Sequence, residues 1–412
     1  MTESGDQAPV ISESSGWTEF WFVSSHSLTK LGDALMSPKT TLSWVGAAVG
    51  APTWAIALFV PLRESGSMLP QFWSGGLLGR FSLRKHAWAL GSLLQGLSVL
   101  AMAWVALRLS GLAAGLALLA LLAAFSLARS LNSVSSKDVL GRTVSKQRRG
   151  RVTGWASAAA GLASLAVAVW GIGFGAKHLS ANELALVLSA SGASWLVAIA
   201  LFLRVDEPRD SYEDAWDSAI QRLQLLKEDR RLLRFVIARA LLLCSALSTP
   251  YLVVMAQRSE QGASLFQFMA VAALSSLVFG PLWGRAADSS SRTVLSLAAV
   301  LAALVGFAAG FTALLGDALL TVPWALLSAF AVISVAHEGV RIGRKTWIVN
   351  IAEGQQRRDY VAVSNSAIGA VLLLVGALTA VLAEWELGAA LIALSVAGAA
   401  GAWLSWRLPE AE

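Results

Sequence analysis

The sequence predicts an all-α polytopic membrane protein: twelve transmembrane helices forming two pseudo-symmetric six-helix bundles. Three observations carry that expectation. The 412-residue chain is 56% hydrophobic and only 14% charged, against about 25% charged in an ordinary soluble domain. Apolar runs that reach the roughly 20 residues a membrane span requires recur along its whole length. One long charged connection divides those runs six and six.

Taken in order, the runs lie at 17–36, 51–76, 86–108, 112–134, 152–176, 182–204, 232–256, 264–286, 293–315, 318–341, 360–383 and 387–407. Residues 1–16 form a tail with three acids, no Lys or Arg and no apolar core, unlike a cleavable signal peptide. The first run is the weakest, because it contains Glu19, His26, Lys30 and Asp33. The N-terminal bundle spans 17–204. In the linker at 205–231, Ala219, Leu223 and Leu226 recur at helical spacing, which suggests an interfacial amphipathic helix. The C-terminal bundle spans 232–407, and 408–412 is a second short tail.

Basic loops stay on the cytoplasmic side of a membrane. With both termini cytoplasmic, most of the 32 Lys and Arg fall in inner loops and tails, while Lys39, Arg108, Lys177 and Arg258 fall in outer ones. That bias accounts for the net charge of +6 without a nucleic-acid partner. The basic run 146–151 is expected to face anionic membrane lipid. The single cysteine, Cys244, excludes an intrachain disulfide and a cysteine metal cluster.

An internal repeat appears as matches at one fixed offset. Adding 208 carries Gly76 to Gly284, Arg84 to Arg292, Lys137 to Lys345, Arg149 to Arg357 and Gly161 to Gly369. Six plus six helices with this symmetry resemble the major facilitator superfamily of secondary transporters. That family's signature between helices two and three is matched by Gly284, Asp288 and Arg292 in GRAADSSSRT. In the first half, GLLGRFSLRK keeps Gly76 and Arg84 but has Arg80 in the place of the usual Asp. The resemblance implies a cytoplasmic gate at these positions, and it implies that helices one, four, seven and ten line a central cavity. The stretches LGDALMSPKT, RESGSMLPQ and HEGVRIGRKT are similar to a bacterial permease subgroup of undefined cargo.

Arg63 and Glu64 lie side by side near the middle of the second run, where a charge costs about 2.5–3.5 kcal/mol and marks a functional group by default. Glu64, Ser67 and Gln71 share one helical stripe with Arg63 on its flank. Adjacent positions diverge by about 100°, so Arg63 and Glu64 are not expected simply to neutralise each other; a structural ion pair to a neighbouring helix is the bland reading. The first run repeats the pattern with His26, Lys30, Asp33 and Ser37 on one face, unless Lys30 and Asp33 only pair together. Arg129 and Asn132 mark the fourth run, and His337, Glu338 and Arg341 the tenth; the offset of 208 relates Arg129 to His337. Arg239 reads as structural.

HEGVR at 337–341 lacks the second His of a zinc hydrolase, and no phosphate-binding loop is present. No cofactor, metal or enzymatic activity is expected. The expected function is a monomeric, proton-coupled permease of the inner membrane moving a small, anionic or amphoteric solute by alternating access. Glu64 or Asp33 is the coupling group, with Na⁺ as the alternative ion, and Arg63, Lys30, His26, Gln71, Arg129, Asn132, His337, Glu338 and Arg341 line the path. Export of apolar compounds and lipid movement are the alternatives.

Overall fold

The computed structural model describes residues 16–70, 81–145, 147–174, 179–209, 228–258, 263–316, 324–351 and 354–409, and these contain helices and no strand. The first element is broken where the sequence placed an outer loop. Helix α1 (Gly16–Leu35) ends just before Pro38, which has no N–H to continue the ladder, and the chain re-enters a helix as α2 (Thr41–Ala48). Ser43 donates its hydroxyl to the Pro38 carbonyl at 2.6 Å, which satisfies one acceptor stranded by the break. Because α2 is largely buried, the outer turn begins at Val49 rather than at Ser37. Gly50 makes that turn at φ 71, a left-handed conformation that an L side chain disfavours. Residues 41–48, expected in the outer loop between the first two runs, are therefore helical and largely buried.

The second run is also divided, into α3 (Thr53–Ala57) and α4 (Phe59–Met68). Then follow α5 (Arg84–Arg108), α6 (Gly111–Thr143), α7 (Arg149–Gly173) and α8 (Ala181–Phe202). Ser180 and Glu183 close a reciprocal capping box at the start of α8, satisfying two of the N–H groups a helix start leaves unpaired. The 33 residues of α6 extend to about 50 Å, well past a hydrocarbon core of about 30 Å.

After the linker, α9 (Arg230–Leu241) and α10 (Cys244–Arg258) form one bent span. Helix α11 (Leu265–Leu274) passes through a π-turn at Ser275–Phe279 into α12 (Gly280–Ser289). The chain ends with α13 (Ser291–Leu314), α14 (Ala325–Asn350), α15 (Gly354–Trp385) and α16 (Leu387–Trp406). Among the described residues, 10 helices are long and apolar enough to cross a membrane. The segments α1 to α4 are not among them, the first because of its charges and the others because they are short. Exposed tryptophans such as Trp17, Trp155, Trp324 and Trp385 sit near helix ends, where their amphipathic rings suit a lipid headgroup layer.

Packing follows two sets of neighbours. Helix α1 lies on α7 and α8, α5 on α6 and α8, and α4 on α6; separately, α13 lies on α14 and α16, and α10 on α14. Small residues permit the closest approaches. A Cβ added at Gly310 would stand 2.7 Å from the Gly388 carbonyl oxygen, so α13 and α16 meet backbone to backbone. The sets touch where α11 meets α7, where α15 meets α3 and α4, and where α10 meets α2.

Along α7 and α11 the contact runs from Gly171 against Phe266 to Gly161 against Leu277. Beyond that level the two helices part: Gly150, Gly154, Gly280 and Gly284 all face open space. The opposite end is tied shut, with Arg258 donating to the Thr53 hydroxyl at 2.9 Å and the Trp54 N–H donating to the Glu384 carboxylate at 3.0 Å.

Candidate functional site

The site is assembled from charges that a membrane helix carries only where a partner waits. Asp33 on α1 accepts from Arg63 of α4 at 3.0 Å and from Arg129 of α6 at 2.7 Å. Its side chain is only 17% exposed. One carboxylate thus joins three helices, and removing it would leave two guanidiniums in low dielectric. Arg63 also donates its other terminal nitrogen to Glu64 at 3.1 Å. Neighbours diverging by about 100° were not expected simply to neutralise each other; the two do bond, but the guanidinium is long enough to fork between Glu64 beside it and Asp33 across the helix pair. Lys30 and Asp33 do not pair with one another as their principal bond, since Lys30 donates to the Ser157 hydroxyl on α7.

Lys39 was expected in an outer loop. It lies instead in the break between α1 and α2, with its Nζ 2.7 Å from His337 Nε2 on α14. An ammonium has no lone pair to offer, so Nε2 accepts and the proton of the imidazole resides on Nδ1. From there it is directed at the Ser245 hydroxyl of α10, 3.2 Å away. Beside it on α14, Glu338 accepts from Arg341, whereas Arg344 makes no hydrogen bond or ion pair among the described residues. Arg239 on α9 is buried and donates to Ser364 at 3.1 Å and Asn365 at 3.0 Å on α15, which fits a positioning role between neighbouring helices.

Other expected site residues are placed elsewhere. His26 stacks on Phe22 with ring centroids 4.0 Å apart and neighbours Trp88 and Phe202, so it belongs to an aromatic core among α1, α5 and α8. Asn132 donates to the Trp88 carbonyl at 3.1 Å and the Ser92 hydroxyl at 2.6 Å, which ties α6 to α5. Gln71 and Gly76 lie outside the described residues. Of the gate positions, Arg84 pairs with Asp138 at 3.2 Å, a partner on α6 that serves where Arg80 replaces the usual Asp. Arg292 donates to the Leu408 carbonyl at 3.3 Å, while Asp288 and Gly284 are not packed against the neighbouring half. Arg148 in the basic run pairs with Glu19 of α1 at 2.8 Å, so part of that run is engaged with protein.

Together Lys30, Lys39, Arg63, Arg129, Arg239, Arg341 and Arg344 outnumber Asp33, Glu64 and Glu338 in one electrostatically connected interior. A cavity of about 390 Å³ opens beside them, with Lys30, Arg129 and Arg341 in its wall together with Ser37, Thr40 and Ser157. The sequence reading missed Lys39, Ser157 and Ser245. The signal for Lys39 was Pro38, a helix breaker between two apolar runs.

A family model described as Major Facilitator Superfamily matches residues 17–320, and the chain belongs to that superfamily. It is therefore a membrane transporter and not an enzyme. No curated protein sequence matches it. Among solved structures it resembles the inward open xylose transporter XylE from E. coli at 13% identity, with 95% of this chain and 96% of that chain covered and a TM-score of 0.70. It also resembles the nucleoside transporter NupG at 12% identity, with coverages of 95% and 98% and a TM-score of 0.66. A POT family transporter in complex with a thioalcohol-conjugated peptide matches at 10% identity, with 94% of each chain covered and a TM-score of 0.72. At these identities the likeness concerns the fold.

Proposed function

We propose that the protein is a twelve-span, proton-coupled transporter of a small anionic solute, with α1–α8 and α9–α16 as its two bundles. The observation that carries the reading is the excess of interior Lys and Arg over carboxylates beside the cavity. A buried excess charge is unfavourable unless something of opposite sign visits it, and a solute anion meets that need where an apolar cargo does not. Alternating access then consists of opening the end held by Arg258 and Glu384 while the α7 and α12 end closes. The basic-loop bias assigns the closed end to the periplasm of the inner membrane and both termini to the cytoplasm.

Coupling falls to Glu64 and Asp33, which share Arg63. A protonated carboxyl releases that guanidinium toward the solute; a charged one reclaims it. The reading is tested by uptake into proteoliposomes carrying an imposed pH gradient, with labelled anionic and neutral solutes offered separately. Gradient-driven accumulation of an anion supports it. Accumulation of neutral or cationic solutes alone would overturn the anionic assignment, and indifference to the gradient would overturn the coupling.

A further inference from the structure

The cations that line the cavity come from opposite sides. Lys30 on α1 and Arg129 on α6 belong to the first half of the chain, Arg341 on α14 to the second. None is fully compensated by the protein. Arg129 shares its carboxylate, Asp33, with Arg63. Lys30 is bonded to a neutral hydroxyl. Arg341 has Glu338, but the neighbouring Arg344, which has no direct ion pair among the described residues, draws on Glu338 and Glu64 as well, and the two guanidiniums repel one another. Lys30 and Arg341 face each other closely enough to repel as well.

A single negative charge placed against one wall would leave the other wall's cation uncompensated. Two charges carried by one solute can meet both walls. Further interior cations add to the same sign. Lys137 and Lys345, which the offset of 208 relates, lie near enough to repel each other. Lys345 is also repelled by Arg341 of the cavity wall, and like charges gathered in one region raise the local concentration of oppositely charged solutes. The rest of the wall supplies hydroxyls such as Ser164 and Ser276 among Ala and Gly. The volume of about 390 Å³ is at the small end of the range of about 300–1,000 Å³ usual for ligand sites.

We infer that this cavity binds a small dianion, a phosphate monoester or a dicarboxylate, clamped between Lys30 and Arg129 on one side and Arg341 on the other. The inference rests on the reading of the chain as an anion transporter and narrows its solute. Guanidinium groups suit either ligand, since their paired N–H donors match the oxygens of carboxylate and phosphate alike. Because the clamp spans both halves, the dianion itself draws them together.

The test is a titration of the purified full-length protein, followed by thermal unfolding and tryptophan fluorescence. Glycerol 3-phosphate and succinate are compared with inorganic phosphate, acetate and glycerol at about pH 8, where phosphate monoesters are close to dianionic. The dianions are expected to bind at least about tenfold more tightly than acetate, the factor that about 1.4 kcal/mol represents. Glycerol 3-phosphate against succinate separates the two ligand chemistries. In Arg341→Gln and Lys30→Gln the preference for dianion over acetate should fall about tenfold, and Arg341→Lys, which keeps the charge, should retain part of it. Should either Gln variant fail to fold, the wild-type preference decides alone. Acetate binding as tightly as both dianions overturns the clamp while sparing the anionic reading. Binding of glycerol in preference to every anion, or no binding of any anion, overturns both.

Discussion

Lys39 donates to His337 Nε2 at 2.7 Å, and through that bond an unwound segment of the first half reaches a helix of the second. Truncating His337 to Ala removes the acceptor and leaves the ammonium buried. A hydrogen bond to a charged group is worth about 1.5–3 kcal/mol, so His337→Ala should lower the unfolding temperature markedly. His337→Gln, whose amide oxygen can accept, should lower it less. In a double-mutant cycle with Lys39→Met the combined loss should be smaller than the sum of the single losses. Additive losses in thermal unfolding would mean that the contact contributes nothing.

Asp33→Asn should be the most damaging single change in the interior. It weakens the acceptor of both Arg63 and Arg129, and breaking a buried pair costs about 3–5 kcal/mol. Arg129→Gln should cost less, because Asp33 keeps Arg63. Thermal unfolding of the three proteins in one detergent ranks them, and an Asp33→Asn protein as stable as wild type would contradict the geometry.

Glu64→Gln removes a charge from beside Arg63 while keeping one acceptor oxygen. Accumulation driven by a pH gradient should disappear while exchange of solute down its own gradient survives, since the amide imitates a protonated acid. Uphill transport at the wild-type rate and with the wild-type pH profile would reassign coupling to Asp33.

The tied end rests on few bonds. Arg258→Ala and Glu384→Gln each weaken one polar link of the order of 1 kcal/mol, enough to move a two-state population about fivefold. Spin labels at the exposed Arg108 and Leu315 should then report a larger share of long distances. An unchanged distance distribution in the double variant would place the closure elsewhere.

Asp229 caps α9, accepting from the Arg231 and Leu232 backbone N–H groups at 2.7 and 3.1 Å and from the Tyr360 hydroxyl. Burial pushes its carboxyl up, but the Tyr360 and backbone hydrogen bonds outweigh this and hold it below the usual carboxylate value. A carboxyl lowered on folding stabilises the protein above its unfolded pKa, and that contribution is lost as pH falls through the folded value. Tyr360→Phe should therefore reduce stability at neutral pH and flatten its decline in acid. An identical acid limb in both proteins would show that the bond carries no linkage.

The span order was legible because apolar runs of membrane length are a coarse and redundant signal. Residues 86–108 were expected as a span, and α5 occupies Arg84–Arg108. What sequence could not convey was the departure from one helix per run. Pro38 looked like a terminus, yet the chain resumed as α2 after a few residues, which put Lys39 inside the protein. That Arg63, Asp33 and Arg129 would need partners inside the protein could be anticipated from the cost of burying charge. Their joining at one carboxylate depends on how α1, α4 and α6 are packed, and a linear pattern does not encode that distance. His26 shows the converse: it shares the polar face of Lys30 on paper, but aromatic neighbours on α5 and α8 take it into their stack.

The π-turn at Ser275–Phe279 works as a phase correction. A π-turn accommodates one residue beyond the α-helical repeat, and each residue advances the helix by about 100°. Before it, α11 presents its side chains to α7; after it, α12 presents its own to α13 and α14, where the Trp283 indole donates to the Val335 carbonyl at 2.9 Å. Deleting one residue between 275 and 279 would close the ladder into a regular helix and turn everything from Gly280 to Ser289 away by that angle. The indole would be carried off α14 while the part of the α7 seam that precedes the turn, Phe266 against Gly171, stayed in place, so this single inserted residue lets one continuous span serve two differently oriented partners.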